Sequence, residues 1–120
     1  MNARPVIAVV GPCASGKSTL VAALRERDFT AHHVAQEHSY VPDMWRQMVH
    51  PDVLVYLDVS YRVARRRRRT LQQEEWHAVQ GRRLKHARAH CHLYIDTDPL
   101  NPWQILERVL SFLQVEWGIR

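Results

Sequence analysis

Residues 6 to 18 read Val6-Ile7-Ala8-Val9-Val10-Gly11-Pro12-Cys13-Ala14-Ser15-Gly16-Lys17-Ser18, and three kinds of chemistry follow one another along them. First come five apolar residues without a charge, as a strand buried on both faces of a parallel sheet requires. Gly11 to Ser18 then has the form G-x-x-x-x-G-K-[ST]. From Lys17 to Arg27 the pattern predicts a helix with Leu20, Val21 and Leu24 on one face. Strand, glycine loop and helix in this order bring backbone N–H groups together on phosphate oxygens, and the helix N-terminus adds partial positive charge. The lysine of such a loop reaches the β- and γ-phosphates, and the hydroxyl after it can ligate Mg²⁺. The stretch therefore predicts binding of a nucleoside triphosphate or its diphosphate by Gly11, Pro12, Cys13, Ala14, Ser15, Gly16, Lys17, Ser18 and Thr19.

Working outward, 120 residues leave room for one domain, residues 1–120, with one modest core. An apolar fraction of 46% is that of a globular chain rather than a disordered one. No apolar run approaches the roughly 20 residues of a membrane span, so no membrane partner is expected. The short run at Val6 to Val10 leads straight into the glycine loop and does not read as a signal peptide. Cys13 and Cys91 are the only cysteines, one in the loop and one beside an expected strand. A structural disulfide is not expected between them, and a cytoplasmic, reducing location fits. The net charge of +5 comes from 17 basic and 12 acidic residues, with five consecutive arginines at Arg65 to Arg69. Such a block can attract nucleic acid, or it can grip the phosphates of a nucleotide.

Along the rest of the chain, Phe29 to Gln36 predicts a second strand ending near Gln36 or Glu37. A short helix is expected over Asp43 to Val49, with Asp43 as N-cap. Val53 to Leu57 predicts a third strand, and Ser60 caps a helix through the arginines. Thr70-Leu71-Gln72-Gln73 has the form of a capping box, followed by Trp76, Val79, Arg83, Leu84 and Ala87 at helical spacing. Cys91 to Ile95 predicts a fourth strand. Pro102 stands at N1 of a last helix, whose apolar stripe is Ile105, Leu106, Val109, Leu110 and Leu113. Alternating strands and helices imply an α/β fold, with a short parallel sheet of about four strands flanked by helices. Ligands in such folds bind beyond the carboxyl ends of the strands, where the loop, Glu37, Asp58 and Asp96 would all lie.

With these residues placed, the chain resembles the P-loop nucleoside and nucleotide kinases. The likeness is carried by Gly11 to Thr19, by Pro51-Asp-Val-Leu-Val-Tyr-Leu-Asp-Val-Ser60 running into Arg65 to Arg69, and by Tyr94-Ile-Asp-Thr-Asp-Pro-Leu100. The second segment is similar to the strand and lid helix of thymidylate and deoxynucleoside kinases, the third to their closing strand and adenine-side loop. The resemblance implies a P-loop three-layer sandwich with strand order 2-1-3-4. It also implies ATP and Mg²⁺ as cofactors, and transfer of the γ-phosphoryl group to a small-molecule acceptor. Lid arginines of that family close over ATP, a role assigned here to Arg65, Arg66 and Arg69; a solvated face and nucleic-acid contact are the other readings of the run. Family members carry a longer acceptor-binding insertion, for which this chain offers only His38 to Asp52. The acceptor site is then reduced, absent, or completed by a partner such as a second copy in a homodimer. A regulatory or assembly module that binds nucleotide without transferring phosphate is the alternative function.

A second acidic group is needed to hold Mg²⁺ or act as base. Glu37, at the end of the strand beside the loop strand, is the favoured residue; Asp58 is the competing one, and a capping or loop-fixing role is its plainer reading. The expected catalytic set is Lys17, Glu37, Arg65, Arg66 and Arg69, with Ser18 and Glu37 at the metal. Tyr40 and Trp45 offer rings for stacking, although Trp45 and Met48 equally fit the core of a short helix. His86 and His90 sit four apart near Cys91 and His92, a spacing that a zinc site could use. No Asn-Lys-x-Asp segment is present to read guanine, which turns the expectation toward ATP.

Overall fold

The computed structural model describes residues 4–69 and 73–119. Four strands, β1 (Val6–Val10), β2 (Thr30–His33), β3 (Val53–Asp58) and β4 (Leu93–Asp96), form one sheet in the order β2-β1-β3-β4. Every pairing is parallel, with Ile7 opposite both Ala31 and Val53, and Tyr56 opposite Tyr94. The α/β class, the strand number and the order 2-1-3-4 agree with the expectation from sequence. The two central strands, β1 and β3, are those whose runs carry the longest uncharged stretches, because only they are buried on both faces.

Alternation along these strands divides the core in two. Ile7, Val9, Val53, Val55 and Leu57 point to helices α1 (Lys17–Glu26) and α6 (Pro102–Trp117), meeting Leu20, Leu24, Val109 and Leu113. Ala8, Val10, Leu54 and Tyr56 point to the opposite face, where they meet Trp45 of α2 (Met44–Val49), Leu84, and Ala87 of α5 (Lys85–His90). Helices thus cover both faces of the sheet. A third cluster, Val59 with Val63 and Ala64 of α3 (Tyr61–Arg67), packs on Ala14 of the glycine loop.

Local chemistry explains the element boundaries. Ser60 accepts a hydrogen bond from the Val63 N–H and caps α3 as expected. Pro102 is the first residue of α6, and Asn101 and Gln104 form a reciprocal capping box there. Asp43 precedes α2 but makes no capping bond, because its carboxylate is taken by the side chains of Arg46 and Gln47. The expected second strand is shorter than its sequence suggests. After His33 the chain turns inward: the Val34 N–H still bonds to Val9, but Gln36–His38 forms a single tight 3₁₀ turn. Gln36 is fully buried; its amide donates to the Val41 and Arg83 carbonyls and accepts from the Trp45 N–H, which ties the turn to α2. The expected capping box at Thr70 to Gln73 lies largely outside the described residues. Gln73 directly precedes α4 (Glu74–Arg83), and α4 is separated from α5 at Leu84 rather than continuing as one helix. Among the described residues no helix is long and apolar enough to cross a membrane.

Candidate functional site

The loop from Gly11 to Gly16 folds over the carboxyl end of β1, between that strand and α1. At Gly11 the backbone passes so close to β3 that a Cβ would lie 2.1 Å from the Leu57 carbonyl oxygen and 2.7 Å from Ser15 Oγ. Gly16, with φ of 101°, precedes α1 in a left-handed conformation that a side chain would strain. Ala14 holds a left-handed φ of 67° without glycine's freedom, so part of the loop's shape is imposed on it by its surroundings.

Lys17, in the first turn of α1, folds back over this loop. Its ammonium donates to the carbonyls of Gly11 at 2.7 Å and Pro12 at 3.1 Å, and it pairs with Glu37 Oε2 at 2.8 Å. Glu37 reaches it from the 3₁₀ turn after β2, and its side chain is only 5% exposed. Its second oxygen, Oε1, is buried with no protein partner, as is Ser15 Oγ. Buried polar atoms ordinarily find partners, so two orphans beside one loop mark a place prepared for something polar. Lys17 and Glu37, together with Cys13, Ser18, Thr19, His38, Arg67 and Arg68, line an open cleft of about 500 Å³ at the carboxyl edge of the sheet, while Ser15 lines a smaller hollow beside it.

The arginine run divides at this cleft. Arg67 donates to the carbonyls of Ala14, Thr97 and Leu100 and to Thr97 Oγ1, joining α3 to both the glycine loop and the exit of β4. Arg65 instead donates to Tyr61 Oη, and Arg62, Arg65, Arg66 and Arg69 line a separate surface hollow. Arg65, Arg66 and Arg69 are thus not brought to the loop, whereas Arg67, which sequence reasoning passed over, is. A signal for it exists: Val63 and Ala64 are the apolar residues of α3 and mark its inner face, and Arg67 follows them at i+4 and i+3. Arg69 lies beyond the end of the helix.

Asp58 ends β3, but its carboxylate accepts from the Val59 N–H and from the Tyr94 hydroxyl, and it is not among the residues lining the cleft. Burial and this hydrogen bond push the Tyr94 phenol up to about 12. Asp98, two residues past β4, accepts from the Ser60 N–H. Burial alone would raise its pKa; the Ser60 hydrogen bonds and the charges of Arg67 and Arg62 outweigh that and hold it below the usual carboxylate range. Both carboxylates fix the loops around the site.

Beside the cleft, Leu20, Leu100, Pro102 and Ile105 join Ala14, Gly16 and Arg67 around a smaller, mainly apolar hollow of about 280 Å³. Trp45 is 5% exposed and belongs to the core, while Met48, expected to share that core, is exposed. Tyr40 is exposed and lies under the Arg83 guanidinium. His86 and His90 stack on one another, and His86 Nδ1 accepts from the Trp45 indole. His92 Nδ1 accepts from the Leu54 N–H, and both cysteines are free thiols. Gln80, buried on α4, is a further residue of the site that the sequence did not signal: its amide accepts from the Cys13 N–H and donates to Cys13 Sγ.

No family model matches this chain, and a search of curated proteins finds no match to it.

Proposed function

We propose that this chain is a P-loop kinase-like protein that binds ATP with Mg²⁺ and transfers the γ-phosphoryl group to a small-molecule acceptor. The observation that carries this reading is the convergence of Lys17, Glu37 and Arg67 on one cleft at the mouth of the glycine loop. Lys17 is held at the loop by two carbonyls and a carboxylate, the place of a cation that takes over phosphate oxygens when they arrive. The loop amides and the N-terminus of α1 supply further positive potential. The residues suit Mg²⁺: Glu37 offers the unpartnered Oε1, and Ser18 lines the same cleft with its hydroxyl. When bound, Mg²⁺ would neutralise charge on the phosphates. Arg67 adds a guanidinium at the boundary between the cleft and the apolar hollow, where a flat base can lie against Leu20, Leu100 and Ile105. Phosphoryl transfer asks mainly for positioning and electrostatic stabilisation, and Lys17 and Arg67 provide both.

A reading as a nucleotide-binding module without its own acceptor is favoured by one observation. Trp45, one of the two rings the sequence offers for stacking, is buried in the core with Ala8, Val10, Leu54 and Tyr56. ATP consumption measured across a panel of hydroxyl and phosphate metabolites separates the two. A kinase consumes ATP faster with one of them, and Glu37→Gln abolishes this turnover while nucleotide affinity stays within a few-fold. Binding with equally poor turnover under every addition establishes the module instead.

A further inference from the structure

We propose that Cys13, Glu37 and His38 form a binding site for a borderline-soft divalent cation, with Zn²⁺ as the ion of best fit, at the rim of the glycine-loop cleft. This site goes beyond nucleotide binding but shares Glu37 with the Mg²⁺ position proposed above, so the two cations would compete for that carboxylate.

The three residues come from two turns that the fold forces together: Cys13 from the glycine loop, Glu37 and His38 from the 3₁₀ turn after β2. One ligand atom from each lies within 4.8 Å of the others. His38 Nε2 is 3.7 Å from Cys13 Sγ and 3.9 Å from Glu37 Oε2. The first is also a hydrogen-bond length for sulfur, and both are close to what a tetrahedral ion demands. With Zn–S near 2.3 Å and Zn–N or Zn–O near 2.0–2.2 Å, ligand atoms around zinc stand about 3.4–3.6 Å apart. Closing the set takes side-chain movement from separations of up to 4.8 Å, part of which the exposed imidazole of His38 can make.

A second observation points to a ligand here. Glu37 is buried, yet its Oε1 has no protein partner while Oε2 is held by Lys17. A cation on this carboxylate would satisfy an atom whose burial otherwise costs free energy. Gln80 completes the surroundings: its amide N–H₂ donates to Cys13 Sγ at 3.3 Å and fixes the orientation of that side chain. Binding exchanges the thiol proton of Cys13, released to solvent, for the metal–sulfur bond. One thiolate, one imidazole and one carboxylate are a donor set that favours zinc over magnesium, which prefers oxygen ligands alone. Three protein ligands leave a fourth position for water on the cleft side.

The test uses the full chain with Co²⁺ as a spectroscopic stand-in, followed by displacement with Zn²⁺. The expected result is a sulfur-to-cobalt charge-transfer band that Zn²⁺ removes at one equivalent. Cys13→Ser abolishes the band, His38→Ala weakens Zn²⁺ affinity about tenfold or more, and Cys91→Ser leaves both unchanged. His38→Ala changes an exposed side chain, so its result stands even if Cys13→Ser fails to fold. Absence of the band in the wild type, its survival in Cys13→Ser, or its loss in Cys91→Ser overturns the site. Because no nucleotide is present, the cobalt band is read separately from ATP binding at the same cleft, and failure of ATP binding leaves it unaffected.

Discussion

At the scale of single residues, the site is governed by how closely the backbone must approach itself. Gly11 lies so near the Leu57 carbonyl that no side chain fits without moving β3 or the loop. Gly11→Ala is therefore expected to lower stability by about 1–3 kcal/mol, the scale of overpacking in a tight interior, measured by denaturant unfolding. An unfolding midpoint equal to the wild type would show that the loop relaxes freely. The meeting of Lys17, Ser18 and Glu37 at one cleft was legible in sequence from a glycine loop, a cation behind it and an acid after the neighbouring strand, although that strand ends at His33 and Glu37 stands on the turn beyond it. Arg67 was obscured by its neighbours, since five identical side chains in a row carry no information about which faces inward; the inner face is set by Val63 and Ala64. Arg67→Ala removes the bonds to Ala14, Thr97 and Leu100 together with a cation at the cleft. It is expected to weaken nucleotide binding more than Arg65→Ala, whose side chain bonds to Tyr61 on another surface. Equal effects of the two substitutions on nucleotide affinity would return the role to the outer arginines.

Among the elements, strands β1 and β3 and helices α1 and α6 follow from periodicity alone, because each has an unbroken apolar run or stripe. Where packing depends on one buried polar residue, periodicity misleads. Gln36 is fully buried and bonded on both sides, so it ends β2 early and draws the following turn under α4, which places Glu37 beside Lys17. Nothing in an alternating pattern of apolar and polar residues reveals that a glutamine is inside. The stripe through Trp76, Val79, Arg83, Leu84 and Ala87 holds at its end, where Leu84 and Ala87 are fully buried, and misleads at its start: Trp76 is exposed, and Gln80 is the buried residue of α4, bonded to the loop at Cys13. Helix α6 is the element most openly written in the chain, with Asn101, Pro102 and Gln104 at its start and Gly118 at its end. Asn101→Ala is expected to cost about 1 kcal/mol, read from thermal or denaturant unfolding. A loss within experimental error would mean that packing of Ile105, Leu106 and Leu113, rather than the cap, fixes where this helix begins.

For the whole molecule, the carboxyl edge of the sheet collects the ends of all four strands, and the acids there divide by task. Glu37 faces the cleft, whereas Asp58 and Asp98 tie loops together. This division sets how stability depends on pH. Asp98 has a lowered pKa in the fold, so its contribution is present above the ordinary carboxylate value of 3.8 and is lost as pH falls through the folded value. Tyr94 is raised from 10 to about 12, so its contribution is complete below pH 10 and disappears as pH rises toward 12. Tyr94→Phe should accordingly flatten the fall of stability across that alkaline interval, and an unchanged slope would show that burial and the Asp58 bond do not raise this phenol in the fold. The same edge carries the functional claim. Calorimetric titration of MgATP into the wild type and into Lys17→Ala, with folding of the variant verified by circular dichroism, examines it directly. Saturable binding to the wild type that disappears in the folded variant is the result expected. Undiminished affinity in that variant, or no heat from the wild type, would contradict a glycine loop that works by holding phosphate.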